Sequence, residues 1–455
     1  MPLDDPVRRH ARERPDALAI RADGRELTYA ELDAEAGRVA RQLAETGVGR
    51  GSHVVTSLRP GLEFATLLHA LPRIEAVLVP VPPDLPEPER ERLRRAAASL
   101  TSERRPSDPS DPGASDGTTL DPDAPHTVMF TSGTTGNPKP VELTYANHLA
   151  SARASATNLG VEPDDRWLCA LPVHHVGGLA ILLRSAIYGT AAIVHKRFEV
   201  DTVKQSLEAG EPTLVSLVAT QLRRLVEAGF ESAPALRAAL LGGGPVPRDL
   251  LAWAAQRGLP VLQTYGMTET ASQVAALGAT EALTAGATGS AGRPLEGVEI
   301  RIDPEPGEVL VRGPMVSRDA LAADGWLHTG DRGALDENGY LWIEGRLDDT
   351  IVTGGENVAA AEVEAVLQAH PAVAEAAVVG RPDPEWGEAV TAYLVIEPSA
   401  AAPTDEEILV WCRRRMSPFK APKVIHRLAA LPRTAAGKVR RHDLGGPDHE
   451  QEAAR

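Results

Sequence analysis

Cysteine is nearly absent: Cys169 and Cys412 are the two thiols in 455 residues. They lie far apart, form no CxxC pair and have no histidine at metal-ligand spacing, so neither a disulfide framework nor a zinc site is supported. Both read as buried or inert thiols. No apolar run approaches the roughly 20 residues of a membrane span. The N-terminus, Met1-Pro2-Leu3-Asp4-Asp5, carries acids where a secretory signal would carry bases. A cytoplasmic location is the resulting expectation. An excess of basic charge is also missing, because 63 acidic residues against 47 basic ones leave a formal charge of -16. That balance argues against a nucleic-acid surface or binding to an anionic membrane. Lysine is scarce, with six residues (Lys139, Lys196, Lys204, Lys420, Lys423 and Lys438) in a chain that otherwise prefers arginine. Two of the six sit in short loops rich in Gly, Thr and Pro.

With 43% apolar residues over this length, two or more domains with sizeable cores are expected. Leu32, Ala36, Val39, Ala40 and Leu43 recur at helical spacing, opened by Thr28 and closed by Gly47 and Gly49. Alternating apolar runs and amphipathic helices continue to Gln263 and read as doubly wound α/β. Residues 102–124, rich in Ser, Asp, Pro and Gly, read as a mobile surface connection. After Gly289 short strands and turns predict a small β subdomain. Beyond Gly345 a compact α+β unit follows, with a helix at Ala360 to Gln368, and the hinge is expected in Gly345-Arg346-Leu347-Asp348-Asp349.

The loop Thr131-Ser132-Gly133-Thr134-Thr135-Gly136-Asn137-Pro138-Lys139 follows an apolar strand and offers small hydroxyls and a cation, as a polyphosphate requires. It is no Walker loop: Pro138 stands at the second Gly and Pro140 at the Mg²⁺-binding hydroxyl. A second lysine loop is Pro432-Arg433-Thr434-Ala435-Ala436-Gly437-Lys438. Tyr265-Gly266-Met267-Thr268-Glu269-Thr270 follows a buried strand, so it should project from the carboxyl end of a sheet, where a Tyr can stack on a base and a carboxylate can hold Mg²⁺. Asp331, ending Gly325-Trp326-Leu327-His328-Thr329-Gly330-Asp331, suits two ribose hydroxyls; taken alone it reads as a turn former. The pair Gly354-Gly355 is weak by itself, and His174-His175 reads either as pocket lining or as ordinary loop histidines.

Taken in order, these segments resemble the core motifs of the adenylate-forming superfamily of acyl- and aryl-CoA ligases, peptide-synthetase adenylation domains and luciferases, over nearly the whole chain. Leu171-Pro172-Val173-His174-His175-Val176-Gly177-Gly178-Leu179, Arg184-Ser185-Ala186-Ile187-Tyr188-Gly189, Leu240-Leu241-Gly242-Gly243-Gly244-Pro245 and Gly354-Gly355-Glu356-Asn357 are most similar to the o-succinylbenzoate:CoA ligases of menaquinone synthesis. The resemblance implies an N-terminal AMP-binding domain, 1–345, of two doubly wound sheets plus a small β-barrel, and a mobile α+β C-terminal domain, 346–455. It implies ATP, Mg²⁺ and CoA, a small carboxylic acid as substrate, and it allows a homodimer.

Residue by residue, it implies that Thr131, Ser132, Gly133, Thr134, Thr135, Gly136 and Lys139 serve the phosphates of ATP, that Tyr265 and Gly266 lie by the adenine and that Thr268 binds the α-phosphate. Glu269 would hold Mg²⁺, Asp331 and Arg346 would serve the ribose and hinge, and Gly242, Gly243 and Gly244 would bring backbone against adenine and acyl group. His175 would border the acyl pocket, Lys438 would catalyse adenylation, and Gly354 and Gly355 would belong to the CoA step. The acid implied is o-succinylbenzoate; the alternatives are another aryl or fatty acid, or transfer of the acyl group to a carrier protein. For a diacid Arg184 is a candidate partner of the second carboxylate, although an exposed helix arginine is the favoured reading there. Pro140 departs from the family's usual Gly, which stiffens the loop, and the region from Pro82 to Pro125 is shorter than usual.

Overall fold

The computed structural model describes residues 3–84, 91–96, 119–132, 138–244, 246–278, 281, 289–353, 356–383, 386–398, 401–416, 418–434 and 437–444. The chain forms two compact units. The first comprises residues 1–300, 311–327 and 336–341, and the second 301–310, 328–335 and 342–455. Most of the 102–124 connection falls outside the described residues; its last part holds the short strand Thr119–Leu120, which pairs antiparallel with Leu3–Asp4.

Local signals account for the first helix of the sequence pattern. Thr28 accepts from the Glu31 backbone N–H at 3.2 Å while the Glu31 carboxylate accepts from the Thr28 N–H at 2.8 Å, a reciprocal cap that satisfies two otherwise unpaired donors. Helix Tyr29–Glu45 follows and buries Leu32, Ala36 and Ala40 on one face.

The large sheet of the first unit has nine strands, in spatial order Arg293–Pro294, Ser272–Ala276, Val261–Met267, Ala238–Leu241, Leu214–Leu217, Arg166–Cys169, Ala191–Val194, Leu18–Ala22 and Arg25–Thr28. The six strands from Val261–Met267 to Leu18–Ala22 are parallel and the outer pairings antiparallel. The central strands are buried from end to end, as a sheet covered on both faces demands. Trp167, Leu168, Leu179, Ile181 and Leu183 are almost fully enclosed there. Each such side chain contributes about 1.5–3 kcal/mol by leaving water.

A second sheet runs His53–Thr56, Val77–Pro80, Pro125–Ser132, Pro138–Thr144. Its last two strands are an antiparallel hairpin in which Thr131 stands opposite Lys139 and Phe130 opposite Pro140. Pro140 is therefore part of the returning strand at the edge of the sheet, where a missing N–H is tolerated.

The small β subdomain expected after Gly289 is a four-stranded sheet, Glu299–Ile302, Glu308–Arg312, Leu327–Leu335, Leu341–Arg346, most of which belongs to the second unit. The rest of that unit is a five-stranded sheet built on the long hairpin Val373–Asp383 and Gly387–Ile396, with Val424–Arg427 parallel to its second arm. Helix Ala360–Gln368 has the predicted limits, and helix Asp405–Arg413 opens with a Thr404/Glu407 capping box. Val363, Leu367, Ile408 and Cys412 from the two helices meet Val378, Val390 and Leu394 from the sheet in one apolar core. Both cysteines are buried and free, and burial pushes the Cys169 thiol up to about 12. No helix among the described residues is long and apolar enough to cross a membrane.

Candidate active site

Parallel neighbours share a carboxyl edge, and that edge gathers three of the motifs. Leu171 to His175 follow strand Arg166–Cys169, Gly242 to Gly244 follow Ala238–Leu241, and Tyr265 and Gly266 end Val261–Met267. The turn Thr268–Thr270 continues directly from that last strand. The carboxyl edge is where open α/β sheets bind ligands.

Close approach explains two of these glycines. A Cβ on Gly266 would lie 1.8 Å from the Ser272 carbonyl oxygen, and one on Gly242 would lie 2.6 Å from Thr264 Oγ1. Gly244, by contrast, has open space around it. The Tyr265/Gly266 step is irregular in its pairing with Ser272–Ala276. Beyond it the chain turns sharply: Ala271 has φ +50° and Ser272 φ +112°, left-handed conformations that side chains other than glycine rarely take. Thr270 stabilises this turn from inside. Its buried hydroxyl accepts from the Met267 N–H at 3.0 Å and lies 2.8 Å from the Ser272 carbonyl and 3.0 Å from that of Met267. The Glu269 carbonyl accepts from the Ser317 N–H at 2.7 Å, while its carboxylate is half-buried and has no ion-pair partner among the described residues.

The phosphate-type loop is carried by the hairpin of the second sheet. Thr131 donates to the Lys139 carbonyl at 3.3 Å, and the Lys139 side chain is exposed. Gly133, Thr134, Thr135 and Gly136 lie outside the described residues, as do Gly354 and Gly355; Ser132 is described in its backbone alone.

His175 caps helix Val176–Tyr188 with its carbonyl, which accepts from Gly178 and Leu179, each at 3.1 Å. Gly178 lets this helix start close against the preceding turn, since a Cβ there would be 2.4 Å from the Pro172 carbonyl oxygen. The His174 and His175 rings are 4.5 Å apart. Burial, and then the neighbouring His175, lower His174 to about 4, so it is neutral near pH 7.

Further along the same helix, Arg184 overturns the expectation of an exposed arginine, being 4% exposed. Its Nη2 donates to Ser151 Oγ and its Nη1 to Gln273 Oε1, both at 3.0 Å, and Nε is enclosed without a hydrogen-bond partner among the described residues. The Trp167 ring lies beneath it, 5.8 Å from the guanidinium carbon to the ring centroid. Desolvation lowers its pKa from the usual arginine value.

In the second unit Asp331 and Arg346 meet at 2.8 Å, and Arg346 Nη1 also donates to the Thr329 carbonyl at 3.0 Å. Lys438 is exposed on a tight loop. Its N–H donates to Thr434 Oγ1 at 3.2 Å, its carbonyl accepts from the Thr434 N–H at 2.8 Å, and Gly437 takes φ +80°. The hinge segment is a short 3-10 turn at Leu347–Asp349, and the Asp348 side chain is not described.

The geometry of a nucleotide-type carboxyl edge agrees with the family models. The AMP-binding enzyme model matches residues 7–100 and 94–319, and the model of the AMP-binding enzyme C-terminal domain matches residues 362–438. The chain belongs to the AMP-binding enzyme family. Among family members, the 2-succinylbenzoate–CoA ligase of Bacillus cereus is 38% identical, covering 94% of this chain and 95% of the relative. That of Bacillus licheniformis is 37% identical over 98% and 100%. The o-succinylbenzoate CoA synthetase of Bacillus subtilis, solved with the acyl-adenylate intermediate, superposes with a TM-score of 0.87 at 35% identity, covering 98% of this chain and 99% of that one. The same Bacillus subtilis enzyme has also been solved with ATP and a magnesium ion, with a TM-score of 0.86 at 34% identity and coverage of 98% and 100%.

Sequence reasoning did not single out Ser151 and Gln273, which the structure sets against Arg184, or the Thr270 hydroxyl that pins the turn. One signal was available: Arg184 is the single charge in the 13-residue helix Val176–Tyr188, and a lone charge on a helix apolar all round is a buried one.

Proposed function

We propose that this protein is an ATP-dependent o-succinylbenzoate:CoA ligase, which activates the acid as an acyl-adenylate with release of pyrophosphate and passes the acyl group to the thiol of CoA. The first step brings a carboxylate anion to an α-phosphate, so neutralising charge is the main task. In this reading Thr131 and Lys139, with the loop between them, hold the β- and γ-phosphates, Tyr265 stacks by the adenine, Thr268 meets the α-phosphate and Asp331 takes the ribose hydroxyls. Glu269 suits Mg²⁺, since its carboxylate is a hard oxygen donor on a turn pinned through its own carbonyl. When bound, that ion screens the phosphate charges and helps pyrophosphate leave. Lys438 neutralises the meeting anions in adenylation, and rotation of the C-terminal part at the Gly345 to Asp349 hinge then withdraws it and brings the Gly354 to Asn357 loop to the thiol. A cytoplasmic location and the division of labour between 1–345 and 346–455 belong to the same proposal.

The observation that carries the choice of acid is Arg184. A buried guanidinium with neutral partners and no carboxylate at ion-pair distance among the described residues is matched by a substrate with a second carboxylate. The test is pyrophosphate release and thioester formation with o-succinylbenzoate, benzoate, a medium-chain fatty acid and no acid, using the wild type and Lys438→Ala. Thioester from o-succinylbenzoate, with adenylation reduced about 10²–10³-fold in the variant, is the expected result. Turnover of another acid in its place would overturn the choice of substrate and leave the ligase class standing.

A further inference from the structure

Three elements far apart in the chain converge on Arg184: helix Tyr145–Leu159 brings Ser151, strand Ser272–Ala276 brings Gln273, and strand Arg166–Cys169 brings Trp167. Each contribution is neutral. Ser151 has a single hydroxyl proton and gives it to the Ala271 carbonyl at 2.9 Å, so toward Arg184 it presents lone pairs. Arginine has donors only, which fixes Gln273 with its carbonyl oxygen toward the guanidinium. Tyr188, on the same helix, gives its proton to the Ala152 carbonyl, and the nearby His148 is held neutral by burial, by His126 and by Arg184 itself. The cation is thus oriented by hydrogen bonds and has no counter-charge at ion-pair distance among the described residues.

An isolated buried cation is costly, and a carboxylate beside it is the ordinary remedy. Glutamate at position 273 would have the same shape as glutamine and would supply that carboxylate from within the protein. Stability alone would favour it. Keeping an amide there keeps the positive field available to a ligand.

We infer that Gln273 is a specificity-determining residue: by meeting Arg184 with a neutral amide oxygen, it leaves the guanidinium charge for the second carboxylate of a diacid substrate. The inference rests on the diacid reading of the preceding subsection. Gln273 also follows directly on the left-handed pair Ala271 and Ser272, and Ser151 is bonded to the first of these. The backbone that turns at Thr268–Thr270 therefore also holds both neutral partners of Arg184.

The deciding measurement is the ratio of kcat/KM for o-succinylbenzoate to that for 3-benzoylpropionate, which keeps the ring and the succinyl chain and lacks the ring carboxylate. It is taken on the wild type, Gln273→Glu, Gln273→Met and Arg184→Leu, with thermal unfolding recorded for each. If Gln273 sets specificity, Gln273→Glu lowers the ratio at least tenfold, because its carboxylate occupies the guanidinium, while Gln273→Met stays within a few-fold of wild type. If Gln273 is merely a hydrogen-bonding support, the order reverses: Glu, which keeps the bond, retains the ratio and Met loses it. That reversal would overturn the inference. Should Gln273→Glu not fold, Gln273→Met decides alone, retention of the ratio supporting the inference and loss refuting it. Arg184→Leu separates the two levels. A wild-type preference that survives in Arg184→Leu sinks the diacid reading itself, whereas a preference lost in Arg184→Leu but kept in Gln273→Glu sinks only the role of Gln273.

Discussion

Acid is expected to unfold the first unit through buried histidines that the fold keeps neutral, His126 and His69 among them. His126 is almost fully buried, tilted against Tyr145 at 5.0 Å and edge-on to His148 at 5.4 Å between ring centroids. Its Nε2 lies 3.4 Å from the Leu68 carbonyl, and its Nδ1 has no hydrogen-bond partner among the described residues. Burial lowers His126 from 6.5 to about 4. Burial, then repulsion from His126 and Arg73, lowers His69 to about 3. Below the unfolded value of 6.5 the unfolded chain takes up protons that the folded chain refuses, so this stability is complete above 6.5 and is lost as pH falls toward the folded values. At pH 5, about 1.5 units below the unfolded value, each histidine accounts for a loss of about 2 kcal/mol, and the two together about 4 kcal/mol. That is a large share of an ordinary folding free energy of about 5–15 kcal/mol. Urea unfolding followed by tryptophan fluorescence at pH 7.5, 6.5, 5.5 and 5.0 measures it. In His126→Gln, whose amide cannot titrate, about 2 kcal/mol of the loss between pH 7.5 and 5.0 should vanish, whatever the variant's stability at pH 7.5. An unchanged pH dependence in the variant would refute the argument.

Three other perturbations probe the carboxyl edge and the second unit. Gly266→Ala places a Cβ at 1.8 Å from the Ser272 carbonyl oxygen, so a loss of about 3 kcal/mol or more is expected in thermal unfolding, together with lost adenylation. Thr270→Val keeps the shape and removes the hydroxyl that the Met267 N–H and two carbonyls depend on. It should cost about 1–3 kcal/mol and raise KM for MgATP while leaving KM for CoA nearly as it was, measured by separate substrate titrations. Asp331→Asn weakens the contact to Arg346 and to the proposed ribose, and KM for ATP in pyrophosphate exchange should rise on the order of tenfold.

Much of the architecture was legible because it is written locally. The Thr28/Glu31 and Thr404/Glu407 caps, the periodic faces of Tyr29–Glu45 and Ala360–Gln368, and the apolar runs at Leu214–Leu217 and Ala238–Leu241 each depend on residues within one element. The same holds in part for Tyr265 to Thr270, expected beyond a buried strand: the strand runs on through Met267, and Thr268–Thr270 form the turn after it. Less legible was the return of the phosphate-type loop as the hairpin strand Pro138–Thr144, since the prolines there read as loop until a sheet edge makes them tolerable.

The sequence by itself determined the family, the nucleotide motifs and the order of strands and helices, because spacing, capping and hydrophobic period act over a few residues. Tertiary structure alone decided the environment of each charge. The helix pattern marks Arg184 as buried, but its partners Ser151, 33 positions away, and Gln273, 89 positions away, are brought to it by the fold. Asp331 and Arg346, 15 positions apart, become a pair only when two strands of one sheet align them. Burial and field are sums over neighbours brought from distant parts of the chain, and no local pattern carries those sums.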